Sequence, residues 1–173
     1  WFEFKVLNPR GEVPPDYAPE DLNDRFGEAV AISGATQTGG GVAIVGAPGD
    51  DVDQRHDMGS VYFVHQNAGG GNWTLVQKSF AGDSTALDEF GAAVAIEGDW
   101  AMVGAPRDDD AGPDAGSAYV FARIAPVPPL NHEWAERAKL TGQSVLPGDG
   151  FGTVMALNNN IAFIGAPNGV PLS

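Results

Sequence analysis

The chain contains no cysteine, which removes disulfide cross-links, thiol catalysis and cysteine-based zinc sites at once. The compartment stays open, because a secreted chain of 173 residues folds without disulfides when its core is large enough. Basic residues are scarce: nine Lys and Arg stand against 23 Asp and Glu, a net charge of −14. Such a surface repels polyanions, so nucleic acid is not expected as a partner. No apolar run approaches the roughly 20 residues that span a bilayer, so membrane insertion of this segment is not expected either. The chain opens on Trp1 with no secretory signal pattern in view, and we expect a processed or partial chain. What the sequence has in plenty is punctuation. Its 24 Gly and 13 Pro predict short strands joined by turns rather than long helices.

An internal repeat with a period of roughly 60 residues organises the chain. Three segments align: DRFGEAVAIS…VAIVGAP (24–48), DEFGAAVAIEGDWAMVGAP (88–106) and DGFGTVMALNNNIAFIGAP (149–167). Each carries a Phe-Gly pair (Phe26-Gly27, Phe90-Gly91, Phe151-Gly152) and a Gly-Ala-Pro triplet (Gly46-Ala47-Pro48, Gly104-Ala105-Pro106, Gly165-Ala166-Pro167). After the first two triplets come an acidic loop, a Gly-Ser strand (GSVYFV, GSAYVF) and a Trp-led strand (WTLVQKSF, WAERAKLT). The opening WFEFKVLN reads as a further Trp-led copy. Units of approximately 1–72, 73–133 and 134–173 follow, the last one truncated.

Each full repeat thus holds four short strands rich in Val, Ile, Phe and Tyr and bounded by Gly, Asn and Asp. Four antiparallel strands repeated about a centre describe a propeller blade, so the predicted fold class is all-β, a partial β-propeller of about three blades. The markers suit that setting. Small residues in AVAI and VGAP fit crowded inner strands. The prolines lack a ladder donor and end their strands, and Phe26, Phe90 and Phe151 are expected to plug the gaps between blades.

The pattern FG…VAI…GAP…GSaYVF…W…aKL resembles the FG-GAP repeats of integrin α-subunit propellers, and more closely their relatives in secreted bacterial and microbial-eukaryote proteins. The resemblance implies a propeller, usually of seven blades, that displays rim loops outside the cell to a protein or glycan partner. It also implies that the remaining blades of the propeller lie elsewhere, so a fragment of a longer protein is expected. In calcium-binding members a D-x-[DN]-x-[DN]-G-x-x-D hairpin separates FG from GAP. Here that turn reads SGATQTGGG, EGDW and LNNN, too poor in carboxylates for the six to eight oxygens a hard cation takes. The family's calcium site is therefore carried over to no residue.

Asp-rich loops follow the triplets instead, GDDVDQRHDMGS (49–60) and RDDDAGPDAGS (107–117). Asp50, Asp51 and Asp53 in the first, and Asp108, Asp109, Asp110 and Asp114 in the second, are weak candidates for a Ca²⁺ site. The competing reading is solvated, turn-forming Asp, with Arg55 and Arg107 relieving repulsion. His56, His65 and His132 show no metal-triad spacing and are expected at the surface. No catalytic constellation is found, so catalysis is not expected. Asn72-Trp73-Thr74 fits a glycosylation acceptor. The Pro-rich segments 8–24 and 124–134 are the expected partner-contacting loops. The favoured function is a non-catalytic extracellular adhesion or scaffold module. A structural subunit of an extracellular appendage or wall, and an accessory propeller of a larger secreted enzyme, are the alternatives.

Overall fold

A computed structural model describes residues 23–34, 40–66, 73–124 and 134–169. The described residues hold ten strands and no helix. Four form the first sheet: β1 (Val30–Ser33), β2 (Val42–Ala47), β3 (Ser60–Gln66) and β4 (Trp73–Ser79). Four more form the second: β5 (Ala93–Glu97), β6 (Trp100–Ala105), β7 (Ser117–Arg123) and β8 (Trp134–Leu140). A third sheet has two, β9 (Val154–Asn158) and β10 (Ile161–Gly165). Neighbours in sequence are neighbours in the sheet, and every pairing is antiparallel. These are propeller blades, and the four strands of each full blade are the four read from the markers.

The repetition extends to irregularities. The pairing of the third and fourth strands slips at Phe63/Val64 in the first sheet and at Val120/Phe121 in the second, the same place in each copy. The first two sheets each run from a Phe-Gly pair to a Trp-led strand. The unit boundaries at 72/73 and 133/134 therefore fall before the outermost strand of these two sheets. The opening WFEFKVLN lies outside the described residues.

The inner strands of the second sheet are buried on both faces, because a neighbouring sheet lies on each side. Val42, Ile44, Val61 and Phe63 of the first sheet meet Ile96, Ala101, Val103, Tyr119, Phe121 and Trp134 of the second, with Phe90 between them. Across the next seam Ala95, Met102 and Ala118 meet Phe151, Met155, Leu157 and Ile164. Phe90 and Phe151 do plug the two seams. Phe26 sits on the outer side of the first sheet, edge-on to Tyr62 with ring centroids 5.1 Å apart, as Phe90 is to Tyr119 at 5.3 Å.

At the two internal seams the triplet glycines have a single physical reason. A Cβ on Gly46 would lie 2.0 Å from the carbonyl oxygen of Gly91, and one on Gly104 would lie 2.0 Å from that of Gly152. The triplet glycine of one sheet is thus the floor on which the Phe-Gly carbonyl of the next sheet rests. Meanwhile Gly91 donates its N–H to the carbonyl of its own triplet glycine, Gly104, at 2.9 Å. One glycine closes its own sheet and touches the one before.

Candidate functional site

Up-and-down strands sort the connections onto two rims. The hairpin turns β1–β2, β3–β4, β5–β6, β7–β8 and β9–β10 share one rim. The Asp-rich loops and the links between sheets share the other.

On the second rim the Asp-rich loops join neighbouring sheets. Leu87, Glu89 and Phe90 donate their N–H groups to the carbonyls of His56, Asp57 and Met58, at 2.8, 3.1 and 3.1 Å. Gly148, Gly150 and Phe151 donate in the same way to Pro113, Asp114 and Ala115, at 2.8, 3.2 and 2.8 Å. The two short ladders are copies of one another, each running parallel into the next sheet's Phe-Gly pair. Asp57 and Asp114 both take a left-handed backbone, with φ of 49°, a conformation that Asp tolerates better than most residues.

Behind each loop one aspartate is buried. Asp50 is fully buried and accepts hydrogen bonds from the Ser60 hydroxyl and from the Tyr62 hydroxyl at 3.3 Å, while the Lys78 ammonium lies at 2.7 Å. Asp108, at 2% exposure, accepts from the Tyr119 hydroxyl at 2.7 Å and the Asp110 amide at 3.0 Å. Its counter-ion is the Lys139 ammonium at 2.7 Å, which also meets Asp83 at 2.9 Å and Asp110 at 2.6 Å. Burial works against the Lys139 charge, but the bonds to Asp108, Asp110 and Asp83 outweigh it and raise its pKa. Burial, followed by the neighbouring carboxylates, likewise raises both tyrosines, so each hydroxyl stays a donor. Burial would raise Asp83, yet its bonds to Lys139 and Tyr119 bring it below the usual carboxylate value.

The Asp candidates are thus not alike. Asp50 and Asp108 are buried and neutralised by lysine, which corrects the reading of the loops as solvated turns at those two positions. Asp51 accepts from the Asp57 amide and from His56, and the pair lowers its pKa in that order. Asp109 accepts the Asp114 amide at 2.7 Å, and Asp114 pairs with Arg107 at 3.1 Å. Asp53 lies in the tip of its loop at φ 51°. Arg107 does relieve its loop, whereas Arg55 reaches across to the Ser84 carbonyl at 2.8 Å instead of pairing with an Asp. Among the described residues no three His, Asp or Glu side chains converge to hold a metal ion. Where three carboxylates do converge, around Lys139, the cation is the ammonium.

His65 also departs from expectation. It is buried in the first seam, where the Trp134 indole N–H donates to its Nε2 at 3.1 Å and Arg123 lies 3.1 Å from its Nδ1. Trp134 itself stacks on Phe63 at 4.6 Å and 6°. The Gln77 amide imitates a strand partner for it, accepting the Trp134 N–H at 2.8 Å and donating to its carbonyl at 2.9 Å. The lysines, tyrosines and serines of these clusters sit at fixed places in the GSxY and Trp-led markers, which is the signal that would have found them.

The hairpin rim is differently made. Trp100 is 46% exposed at the β5–β6 turn, directly opposite Glu97 across the hairpin and beside Asp99. At the first sheet an open hollow of about 340 Å³ is walled by Ile32, Ser33, Gln66 and Trp73 over a floor of glycines. Asn72, His132, nearly all of segment 8–24 and most of 124–134 lie outside the described residues.

A family model described as FG-GAP repeat matches residues 16–64 and 73–121, just over half of the chain. No curated protein matches it. No helix among the described residues is long and apolar enough to cross a membrane, which leaves β-barrels unaddressed.

Proposed function

Because the chain belongs to the FG-GAP repeat family, we propose that it is a non-catalytic module that binds a protein or glycan outside the cell through its hairpin rim. The observation that carries this reading is the division of labour between the rims. The Asp-rich rim is engaged in holding one sheet to the next through its carbonyls, while its buried Asp–Lys–Tyr clusters tie each loop to the outer strands of its own sheet. The hairpin rim carries the exposed indole of Trp100 and the open hollow beside Trp73. Aromatic faces over a small polar lining suit a partner's apolar side chain or the face of a sugar ring. Exposed loops on a rigid scaffold are where such modules carry recognition.

The test is binding of the chain to arrays of matrix proteins and glycans, with one variant on each rim. Trp100→Ala is expected to weaken the interaction at least tenfold, while Phe80→Ala, at the opposite rim and 45% exposed, leaves it unchanged. Binding that ignores Trp100 but falls with Phe80 contradicts the rim assignment, and silence across both arrays contradicts the binding function.

A further inference from the structure

The link that enters the second sheet and the loop that leaves it are held by one ammonium. Lys139 lies on β8, the outermost strand of that sheet. Its Nζ meets Asp83, in the link between β4 and Phe90, at 2.9 Å. It also meets Asp108 and Asp110, in the loop after Pro106, at 2.7 and 2.6 Å. The Tyr119 hydroxyl spans the same two segments, 2.9 Å from Asp83 and 2.7 Å from Asp108. Each segment then runs into a ladder. Beyond Asp83, Leu87, Glu89 and Phe90 donate to the first Asp-rich loop. Beyond Asp110, Pro113, Asp114 and Ala115 accept from Gly148, Gly150 and Phe151. The two ladders thus lie at opposite seams of the second sheet, and Lys139 is fastened to both.

A second chain of charges joins the ladders, from Glu89 to Arg107 at 3.6 Å and on to Asp114 at 3.1 Å. The Arg107 and Asp114 side chains are 47% and 53% exposed, so water screens that path. Those of Lys139 and Asp108 are 19% and 3% exposed, and their pairing keeps more of its strength. We propose that Lys139 couples the two seams, so that both rim ladders open as one cooperative unit. Lifting the link takes Asp83 from the ammonium and admits water to it, which weakens its pairs with Asp108 and Asp110. Lifting the loop removes those two carboxylates and one acceptor of the Tyr119 hydroxyl, which frees the link in turn. The effect runs both ways, as any coupling free energy between two equilibria must.

The experiment is native-state amide exchange of the 173-residue chain at rising denaturant. Met102 and Val103, on the inner strand β6, report opening of the whole sheet. In the wild type Leu87, Glu89, Phe90, Gly148, Gly150 and Phe151 are expected to share one opening free energy and one denaturant slope, both below those of Met102 and Val103. Glu136→Ala removes the carboxylate that accepts the Gly82 amide at 3.1 Å, a contact with the link and not with the loop. It is expected to speed exchange in both groups about threefold. In a Lys139→Met background the same change is expected to reach only Leu87, Glu89 and Phe90. Separate slopes for the two groups in the wild type overturn the proposal. So does an effect of Glu136→Ala that is confined to the first group, or one that still reaches the second without Lys139. Ladders that open only together with Met102 and Val103 overturn it too.

Discussion

The two internal seams share a backbone design and differ in what fills it. In the first, four aromatic rings from both sheets interlock: Phe63, Phe90, Phe121 and Trp134, with the Trp134 indole also bonded to His65 and its backbone to Gln77. In the second the same space holds Ala95, Met102 and Ala118 against partly buried Phe151, Met155, Leu157 and Ile164. Yet the glycine cradle and the parallel ladder recur with nearly identical distances. Backbone complementarity is therefore the constant of this fold, and side-chain packing is the variable that sets how firmly each seam holds.

Truncating the largest filler should separate the two seams most clearly. Trp134→Ala removes a buried ring stacked on Phe63, and is expected to cost about 3–5 kcal/mol in denaturant unfolding. Met155→Ala in the second seam, where the side chain is half-buried, should cost about 2 kcal/mol or less. Equal losses would contradict the ranking of the seams.

The buried Asp–Lys pairs come next. Lys78→Met leaves Asp50 fully buried without its counter-ion, and breaking such a pair from one side costs about 3 kcal/mol, the low end for that change. Lys139→Met should cost at least as much, because it leaves three neighbouring carboxylates, Asp83, Asp108 and Asp110, without their shared cation. A smaller loss at Lys139 would contradict that order. A smaller effect is expected at the cradle: Gly104→Ala sets a methyl against the Gly152 carbonyl and should destabilise by about 1–3 kcal/mol. Gly27→Ala meets no neighbour, so only its positive φ of 90° opposes it.

The smallest effect is that of pH. Asp83, on the link between the first two sheets, has a pKa below its ordinary 3.8 because its bonds to Lys139 and Tyr119 outweigh burial. Its contribution is present above pH 4 and is lost as pH falls through the folded value. Asp88 shifts the other way, raised first by burial, so its charge opposes folding at neutral pH and that opposition fades as acid protonates it. Lys139, raised by its three carboxylates against burial, contributes below its ordinary 10.5 and loses that contribution as pH rises through the folded value. Asp83→Asn is expected to flatten part of the fall in melting temperature below pH 4. An unchanged acid limb would show that Asp83 carries none of it. The equivalent link into the third sheet has Ser144, so no such dependence arises there.

How much of this was legible follows from what repeats. Phe-Gly, Gly-Ala-Pro, Gly-Ser and Trp recur at fixed places, so strand order and blade architecture could be read directly. The fate of the Asp-rich loops could not, because it depends on residues several strands away. Asp50 reads as one of a solvated crowd until Tyr62 on β3 and Lys78 on β4 fold over it. His65 reads as a surface residue because it closes a strand, and only the arrival of Trp134 from the next sheet buries it. Adjacency in sequence reports turns and strands. A seam is made by residues a full repeat apart.

The claim at the centre of this account is that the Asp-rich loops join neighbouring sheets through their backbone. Amide hydrogen exchange of residues 87–90 and 148–151, measured in a chelator and again in millimolar Ca²⁺, tests it most directly. The account predicts that Leu87, Glu89, Phe90, Gly148, Gly150 and Phe151, which donate into the loops, are protected in chelator and unchanged by Ca²⁺. Exchange at loop-like rates in chelator, with protection appearing only when Ca²⁺ is added, would contradict it.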